Sequence, residues 1–187
     1  ANNATQGTTT AQPKIVSAGA LVVGGLDFDG VDDTLFTGAF SLAQAFTSFS
    51  VSRTSQAATS QGIWSIADTS TSTFKAVDFY RSDNGFAINS GATLTSAPTS
   101  YPINTENLKT SVFDTASSEI FADGASVKSG NAGVLNPDGI LIVGQFNSVT
   151  TAFPLMGKME ELIIYNSDQS ANRVGIETNI NAHYSIF

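Results

Sequence analysis

The stretch Leu26-Asp27-Phe28-Asp29-Gly30-Val31-Asp32-Asp33 is the most informative part of the sequence. Leu26 and Phe28 alternate with polar residues, as in a strand with one buried face, and Gly30 then permits a tight turn. Three carboxylates, those of Asp29, Asp32 and Asp33, fall within five residues. The stretch predicts a place where a strand ends and oxygen ligands gather.

The composition fits one acidic globular domain. The chain has 187 residues, of which 41% are hydrophobic, and this is enough to fill a two-layer core. Its net charge of −8 repels phosphate backbones, so nucleic acid is excluded as an expected partner. We expect no membrane insertion, because no apolar run approaches roughly 18 to 20 residues. Since Ala1-Asn2-Asn3 shows neither an initiator Met nor a signal peptide, we expect a processed product or a piece of a longer chain.

Short apolar runs separated by turn residues predict an all-β fold, an antiparallel two-sheet β-sandwich of the jelly-roll type. Asp123-Gly124 between two alternating runs is the clearest hairpin, and Gly24-Gly25 predicts a bulge or kink. The predicted strands are 14–18, 20–29, 33–40, 46–53, 62–67, 74–81, 86–88, 109–114, 118–122, 125–128, 139–146 and 155–165.

One α-helix is predicted at the C-terminal end of the chain. Apolar residues recur at three- and four-residue steps over 170–185, with Ser170 as the N-cap, and we expect one face to pack on the sandwich. The polar, unpatterned residues 1–13 are predicted to form an N-terminal arm. The domain organisation is therefore an arm over 1–13 and one jelly-roll domain over 14–187.

Catalysis has few candidate residues in this chain. There is no Cys, and the single His183 lies on the predicted helix among apolar neighbours. Glu160 and Glu161 are adjacent on a predicted strand, so their side chains point to opposite faces and do not easily serve one site. We therefore expect the protein not to be an enzyme.

The acidic turn is a candidate calcium site. Ca²⁺ prefers six to eight oxygen ligands, and Asp29, Asp32 and Asp33 together with turn carbonyls supply several. The alternative is an ordinary turn in which Asp29 bonds its own backbone while Asp32 and Asp33 are solvated. Both interpretations stay open, with structural Ca²⁺ as the one cofactor considered.

Sugar binding usually combines an aromatic side chain with polar loop groups. Trp64, Tyr80 and Tyr101 are the aromatics nearest to polar, turn-rich stretches. Trp64 is flanked by Ile63 and Ile66, which favours a place in the core. Tyr101, in a loop rich in Thr, Ser, Pro and Asn, is expected to be the more exposed ligand-binding candidate.

Several of these stretches together resemble the laminin-G-like or concanavalin-A-like lectin jelly roll. They are 28–33, Phe121-Ala122-Asp123-Gly124, 141–144 and 161–166. One departure concerns catalysis, because the jelly-roll glucanases of this fold carry Glu-x-Asp-x-x-Glu on one strand. Residues 160–165 read Glu-Glu-Leu-Ile-Ile-Tyr and lack the second and third acids.

The two ends of the chain are similar to modules carried by virion proteins of bacterial viruses and by bacterial surface proteins. The similarity covers the opening Asn-Ala-Thr-Gln at 3–6 and the closing stretch 164–184. It implies a spike or receptor-binding module at the virion surface or outside the cell, attached to a host-surface glycan or receptor and to other virion proteins, with a homotrimer as the favoured assembly. Two alternatives stay open: a structural capsid-decoration or spike domain without a glycan ligand, and an adhesion module of a bacterial surface protein.

Overall fold

The predicted β-sandwich with one C-terminal helix is confirmed in a computed structural model, which describes residues 3–68, 73–146 and 153–187. The strand Thr93–Thr95 was not predicted. The described strands are β1 Val16–Ser17, β2 Ala20–Leu21, β3 Leu26–Asp29, β4 Leu35–Ser41, β5 Phe46–Thr54, β6 Gln61–Ala67, β7 Phe74–Tyr80, β8 Phe86–Asn89, β9 Thr93–Thr95, β10 Asn107–Phe113, β11 Ser118–Ala122, β12 Ala125–Gly130, β13 Asp138–Val143 and β14 Met156–Tyr165.

Two six-stranded antiparallel sheets form the layers of the sandwich. The first sheet has the order β12-β11-β10-β5-β14-β3, and the second has the order β4-β13-β6-β7-β8-β9. Among the described strands, β1 and β2 pair with each other and form a separate small hairpin. The long strand β14 pairs with β5 from Gly157 to Tyr165, with a register shift between Met159 and Glu161.

The predicted turn residues take the conformations that their sequence favours. Asp123 and Gly124 have φ of 48° and 80° and join β11 to β12, as a two-residue hairpin turn requires. Gly25 has φ of 81°, and a Cβ there would lie 2.2 Å from the Met159 carbonyl oxygen. The kink predicted at Gly24-Gly25 therefore separates β2 from β3, because only glycine fits so close to the neighbouring strand.

Aromatic and aliphatic side chains fill the space between the sheets. The rings of Phe46 and Phe113 stack with centroids 4.4 Å apart, and Trp64 from the second sheet lies 5.7 Å from Phe113. All three side chains are fully buried. These contacts between sheets are the packing that alternating strands were expected to make.

A buried ion pair crosses the same interior. Asp78 of β7 and Lys109 of β10 form a salt bridge with both side chains 1% exposed. The Ser111 hydroxyl donates to Asp78 Oδ2 over 2.7 Å, and Lys109 Nζ also donates to the Ala87 carbonyl oxygen over 3.2 Å. The two charges therefore neutralise one another and have further hydrogen-bond partners, as burial of charge requires.

The C-terminal helix α1, Arg173–Tyr184, covers the outer face of the first sheet. Ile180 packs with Phe49, Val51 and Leu108, while the Thr110 hydroxyl donates to Glu177 Oε1 over 2.6 Å. No helix in the described part of the chain is long and apolar enough to span a membrane.

The prediction of Ser170 as the N-cap of this helix is wrong. The helix begins at Arg173, after Asn172 in the N-cap position. The Ser170 amide and hydroxyl both donate to Asp168 Oδ1, over 2.8 and 2.5 Å. This local turn competes successfully with a longer helix, because short polar side chains satisfy backbone groups outside helical geometry.

The N-terminal segment lies against strand β4. Thr5 and Phe36 exchange backbone hydrogen bonds of 2.8 and 2.9 Å, and the Thr34 amide donates to the Ala11 carbonyl over 3.1 Å. Gln6 Nε2 adds a 3.2 Å bond to the Thr34 carbonyl. The boundary between an arm at 1–13 and a domain at 14–187 stays a prediction.

Candidate functional site

The turn after β3 is organised by its own aspartates. Asp29 Oδ1 accepts hydrogen bonds from the amides of Val31 and Asp32, over 2.8 and 3.4 Å, and Asp33 Oδ2 accepts from the Asp29 amide over 2.9 Å. Gly30 has φ of 78°, which lets the chain reverse here. The turn interpretation is therefore correct in that Asp29 bonds its own backbone, but wrong in expecting a solvated Asp33, which is buried.

The same turn brings the three carboxylates together. One oxygen from each of Asp29, Asp32 and Asp33 lies within 4.8 Å of the other two. Asp29 is exposed, Asp32 is half-buried and Asp33 is buried, at 3% exposure. The internal hydrogen bonds use one oxygen of Asp29 and one of Asp33, so the remaining oxygens and the whole Asp32 carboxylate are available as hard ligands, and the set fits Ca²⁺.

The electrostatic environment of Asp33 disfavours its negative charge. Burial raises the pKa of the Asp33 carboxyl, and the charges of Asp29 and Asp32 raise it further. The Asp29 amide and the Lys14 ammonium oppose this shift. A divalent cation among the three carboxylates relieves the repulsion and favours the charged form of each.

A groove of about 290 Å³ runs beside this turn. It combines carboxylate, hydroxyl, ammonium and backbone groups with the thioether of Met156, so it offers both hydrogen-bonding and apolar surface. Met156 is the residue of β14 that pairs with Asp29. The lining residues are Lys14, Asp27, Phe28, Asp29, Ser55, Met156 and Gly157.

The three aromatic ligand-binding candidates lie inside the protein. Trp64 and Tyr80 are 0% exposed and Tyr101 is 2% exposed, so the expectation that Tyr101 is exposed is wrong. The Tyr101 ring packs 4.6 Å from Tyr80 and 4.9 Å from Phe86, and its hydroxyl donates to the Arg81 carbonyl over 3.2 Å. None of the three rings presents a face to a sugar at the surface, because all three are buried.

A different aromatic cluster, not predicted from the sequence, is partly open to solvent. Phe146 contacts Phe79 and Phe153, with ring centroids 4.8 and 4.7 Å apart, and Phe153 is 49% exposed. Phe153 precedes Met156 by three residues, so their Cα atoms are at most about 11 Å apart. An exposed aromatic ring therefore lies at the same end of β14 as the acidic turn.

A pair of carboxyls that the sequence did not suggest lies on the outer face of the first sheet. The side chains of Glu106 and Glu160 meet beside Gly24, and Arg53 lies 3.5 Å from Glu106. Burial raises the pKa of Glu160, and the contact with Glu106 raises it further. Direct contact is closer than the roughly 5 to 10 Å that separates the two carboxyls of glycoside hydrolases.

Neither a protein-family model nor a curated protein sequence matches this chain. Solved structures do share its fold. A heptameric SAP-like pentraxin of Limulus polyphemus aligns with a TM-score of 0.63 and 12% identity over 79% of this chain and 78% of the pentraxin. The CBM40 of a Ruminococcus gnavus sialidase, bound to α2,3-sialyllactose, aligns with a TM-score of 0.59 and 15% identity over 73% of this chain and 83% of that domain.

A sialidase of Trypanosoma rangeli, in complex with sialic acid, also aligns with part of its length. Its TM-score is 0.63 at 10% identity over 86% of this chain, but the match spans only 28% of the sialidase. At these identities the likeness concerns the fold. The chain is thus similar to lectin-like β-sandwiches, consistent with the concanavalin-A-like resemblance.

Proposed function

We propose that this chain is a non-enzymatic carbohydrate-binding module whose ligand is held at the acidic turn through Ca²⁺. The observation that carries the proposal is the convergence of three carboxylates within 4.8 Å beside a polar groove. Asp29, Asp32 and Asp33 supply fewer oxygens than Ca²⁺ prefers. Turn carbonyls and adjacent sugar hydroxyls complete the coordination, so the ion bridges the protein and the glycan.

The neighbouring aromatic cluster supports the same proposal. The exposed ring of Phe153 offers an apolar surface for the C–H face of a sugar, while the groove supplies hydrogen-bonding groups. The fold likeness to a sialidase CBM40 bound to sialyllactose gives further support to a glycan as ligand.

Non-enzymatic binding is favoured over hydrolysis by carboxyl geometry. A glycosidase needs two carboxyls held at a distance that leaves room for a water or a sugar carbon. The Glu106–Glu160 pair is in direct contact, and the Asp29–Asp33 cluster is bonded to its own turn. Both arrangements suit structure or cation binding better than acid–base work.

The site of action that we propose is a virion surface or another extracellular surface. The support is the resemblance of the two chain ends to modules of bacterial viruses and bacterial surface proteins. In that setting the module attaches to host-surface carbohydrate, is held by other virion proteins and forms a homo-oligomer, with a trimer favoured. A capsid-decoration role without a glycan is the competing function.

A glycan array probed in calcium and in excess EDTA tests the proposal. We expect binding in calcium, loss in EDTA, and loss in Asp32→Asn and Phe153→Ala. The matched controls are Asp138→Asn, an exposed carboxylate at the start of β13, and Val134→Ala, which is 69% exposed. Glycan binding that is unchanged by EDTA and by Asp32→Asn overturns the proposed calcium bridge. Stable oligomers that bind no glycan favour the capsid-decoration role.

A further inference from the structure

Strand β14 extends beyond its neighbour at the edge of the first sheet. It pairs with β3 only from Met156 to Met159, opposite Asp29 to Leu26. Its remaining residues, 160–165, have β5 on one side and no strand partner on the other among the residues that the structure describes. Gly25 lies against the backbone of Met159 and Glu160, so a free edge of five residues, 161–165, about 17 Å long, is left in this part of the sheet.

A groove of about 840 Å³ follows this free edge. One wall is β14, and the other consists of β4 and β13 of the second sheet. Aliphatic and aromatic side chains dominate both walls. The principal wall residues are Leu26, Phe40, Leu141, Val143, Leu162 and Ile164. Val143 is buried, and the other five are partly buried.

The hairpin β1–β2 lies at the mouth of the groove. Ile15 and Leu21 line it while remaining 61% and 73% exposed. Val16 and Val23 on the same hairpin are 51% and 86% exposed. A contiguous apolar surface of this kind marks an interaction site on a folded domain.

The side chains of β14 alternate between the two faces of the sheet, and an extended chain added beside β14 would alternate in the same way. Leu162 and Ile164 pack with the core between the sheets, while Ile163 and Tyr165 pack under the helix on the outer face. A strand added beside β14 has the same alternation, so every second side chain enters the groove. Its backbone also pairs the free edge, which an aliphatic small molecule does not do.

The negative charge at the rim of the groove indicates which charged side chains an added strand would carry. Glu160 and Glu161 both line the groove, and Glu106 contacts Glu160. Glu161 is opposite Val51 in the ladder, on the face that packs under the helix. The chain as a whole carries a net charge of −8. A basic strand is therefore favoured over an acidic one.

We propose that this edge is a second binding site, which accepts an extended peptide strand of a partner protein by strand addition to residues 161–165 of β14. The strand presents aliphatic side chains to the groove and Lys or Arg side chains to Glu160 and Glu161. The site is separate from the acidic turn. That turn follows β3 and lies beside Met156, the first residue of β14.

The probe is a fluorescent, N-acetylated peptide, Lys-Val-Lys-Ile-Lys-Val-Lys, measured by fluorescence anisotropy. A second peptide of the same composition places its three apolar residues consecutively and so destroys the alternation. Two further peptides carry N-methyl groups on alternate residues, one on the lysines and one on the apolar residues. In an antiparallel ladder the amides of alternate residues face the same neighbouring strand, so the two peptides block opposite edges.

Strand addition predicts that the alternating peptide binds at least ten-fold more tightly than the rearranged one. N-methylation of one set of residues should weaken binding at least ten-fold, and N-methylation of the other set should leave it unchanged. In the protein, Phe40→Glu and Glu160→Lys should each weaken binding, while Val134→Glu, an exposed apolar position outside the groove, should not.

Four results overturn the proposal: no binding of any peptide, equal binding of the alternating and rearranged peptides, equal effects of the two N-methylated sets, or binding of laurate in the groove that the peptide does not displace. Amide hydrogen exchange keeps the test independent of variant folding. The unmodified protein should gain protection in 161–165 when the alternating peptide is added, and unchanged exchange there also contradicts strand addition.

Discussion

Two clusters of charged side chains in this protein differ in how their negative charge is balanced. Asp78 lies between the sheets, where its charge is matched by Lys109 and bonded by Ser111. Asp29, Asp32 and Asp33 converge at the surface end of β3, and two of the three carboxylates accept hydrogen bonds from amides of their own turn. The buried cluster is neutral within the chain, whereas the surface cluster accumulates charge that an external cation can neutralise. The first cluster has a structural role, and ligand binding is the role that we propose for the second.

The largest effect that separates the two clusters is expected from Lys109→Met. It leaves Asp78 charged and without its cation in the core, which should cost about 3 to 5 kcal/mol of unfolding free energy. Urea denaturation measures the loss. Asp78→Leu combined with Lys109→Met should recover part of it, because no unpaired charge then remains.

The matched control is Lys128→Met, which removes an exposed ammonium from β12. Its cost should stay within about 0.5 kcal/mol. If Lys109→Met costs no more than Lys128→Met, the buried pair has no structural role and the comparison between the clusters fails.

Calcium should act on the surface cluster alone. At one hundred times the dissociation constant, a bound ion stabilises the folded protein by about 2.7 kcal/mol, which raises the melting temperature. Asp32→Asn should abolish this rise, and Asp138→Asn should keep it. A rise that persists in Asp32→Asn places the ion elsewhere.

A smaller effect is expected from Tyr101→Phe. It removes the hydrogen bond to the Arg81 carbonyl and should destabilise the protein by about 1 kcal/mol, with glycan binding unchanged because the ring is buried. Thermal melts and the glycan array give the two readings. Loss of glycan binding without loss of stability would show that Tyr101 contacts the ligand after all.

The smallest effect concerns Glu160. Its folded-state pKa is raised, so its stabilising contribution is full below the unfolded pKa of about 4.5 and is lost as pH rises through the folded pKa. Glu160→Gln imitates the protonated form. It should therefore raise stability at pH 7 by less than about 1 kcal/mol, since the group is half-exposed, and should give no gain near pH 4.

Melting curves at the two pH values measure this difference, with Glu119→Gln on β11 as the control. An equal gain from Glu160→Gln at both pH values would contradict the raised pKa of Glu160.

Local features of the molecule could be predicted from the sequence. The Asp123-Gly124 hairpin and the convergence of Asp29, Asp32 and Asp33 both depend on turn chemistry within a few residues. Alternation of apolar residues likewise predicts strands and the two-layer sandwich.

Features that depend on distant residues could not be predicted in this way. Polar neighbours in the sequence suggested an exposed Tyr101, yet Tyr80 and Phe86 from other strands bury its ring. Glu106 and Glu160 meet only because β10 and β14 both flank β5. The start of the helix depended on Asp168, which competes for the Ser170 amide.

The most direct test of the central claim is a calorimetric calcium titration of the unmodified chain, of Asp32→Asn and of Asp138→Asn. The account predicts one calcium ion per chain, lost in Asp32→Asn and kept in Asp138→Asn. Absence of calcium binding, or the same isotherm for all three proteins, would contradict it.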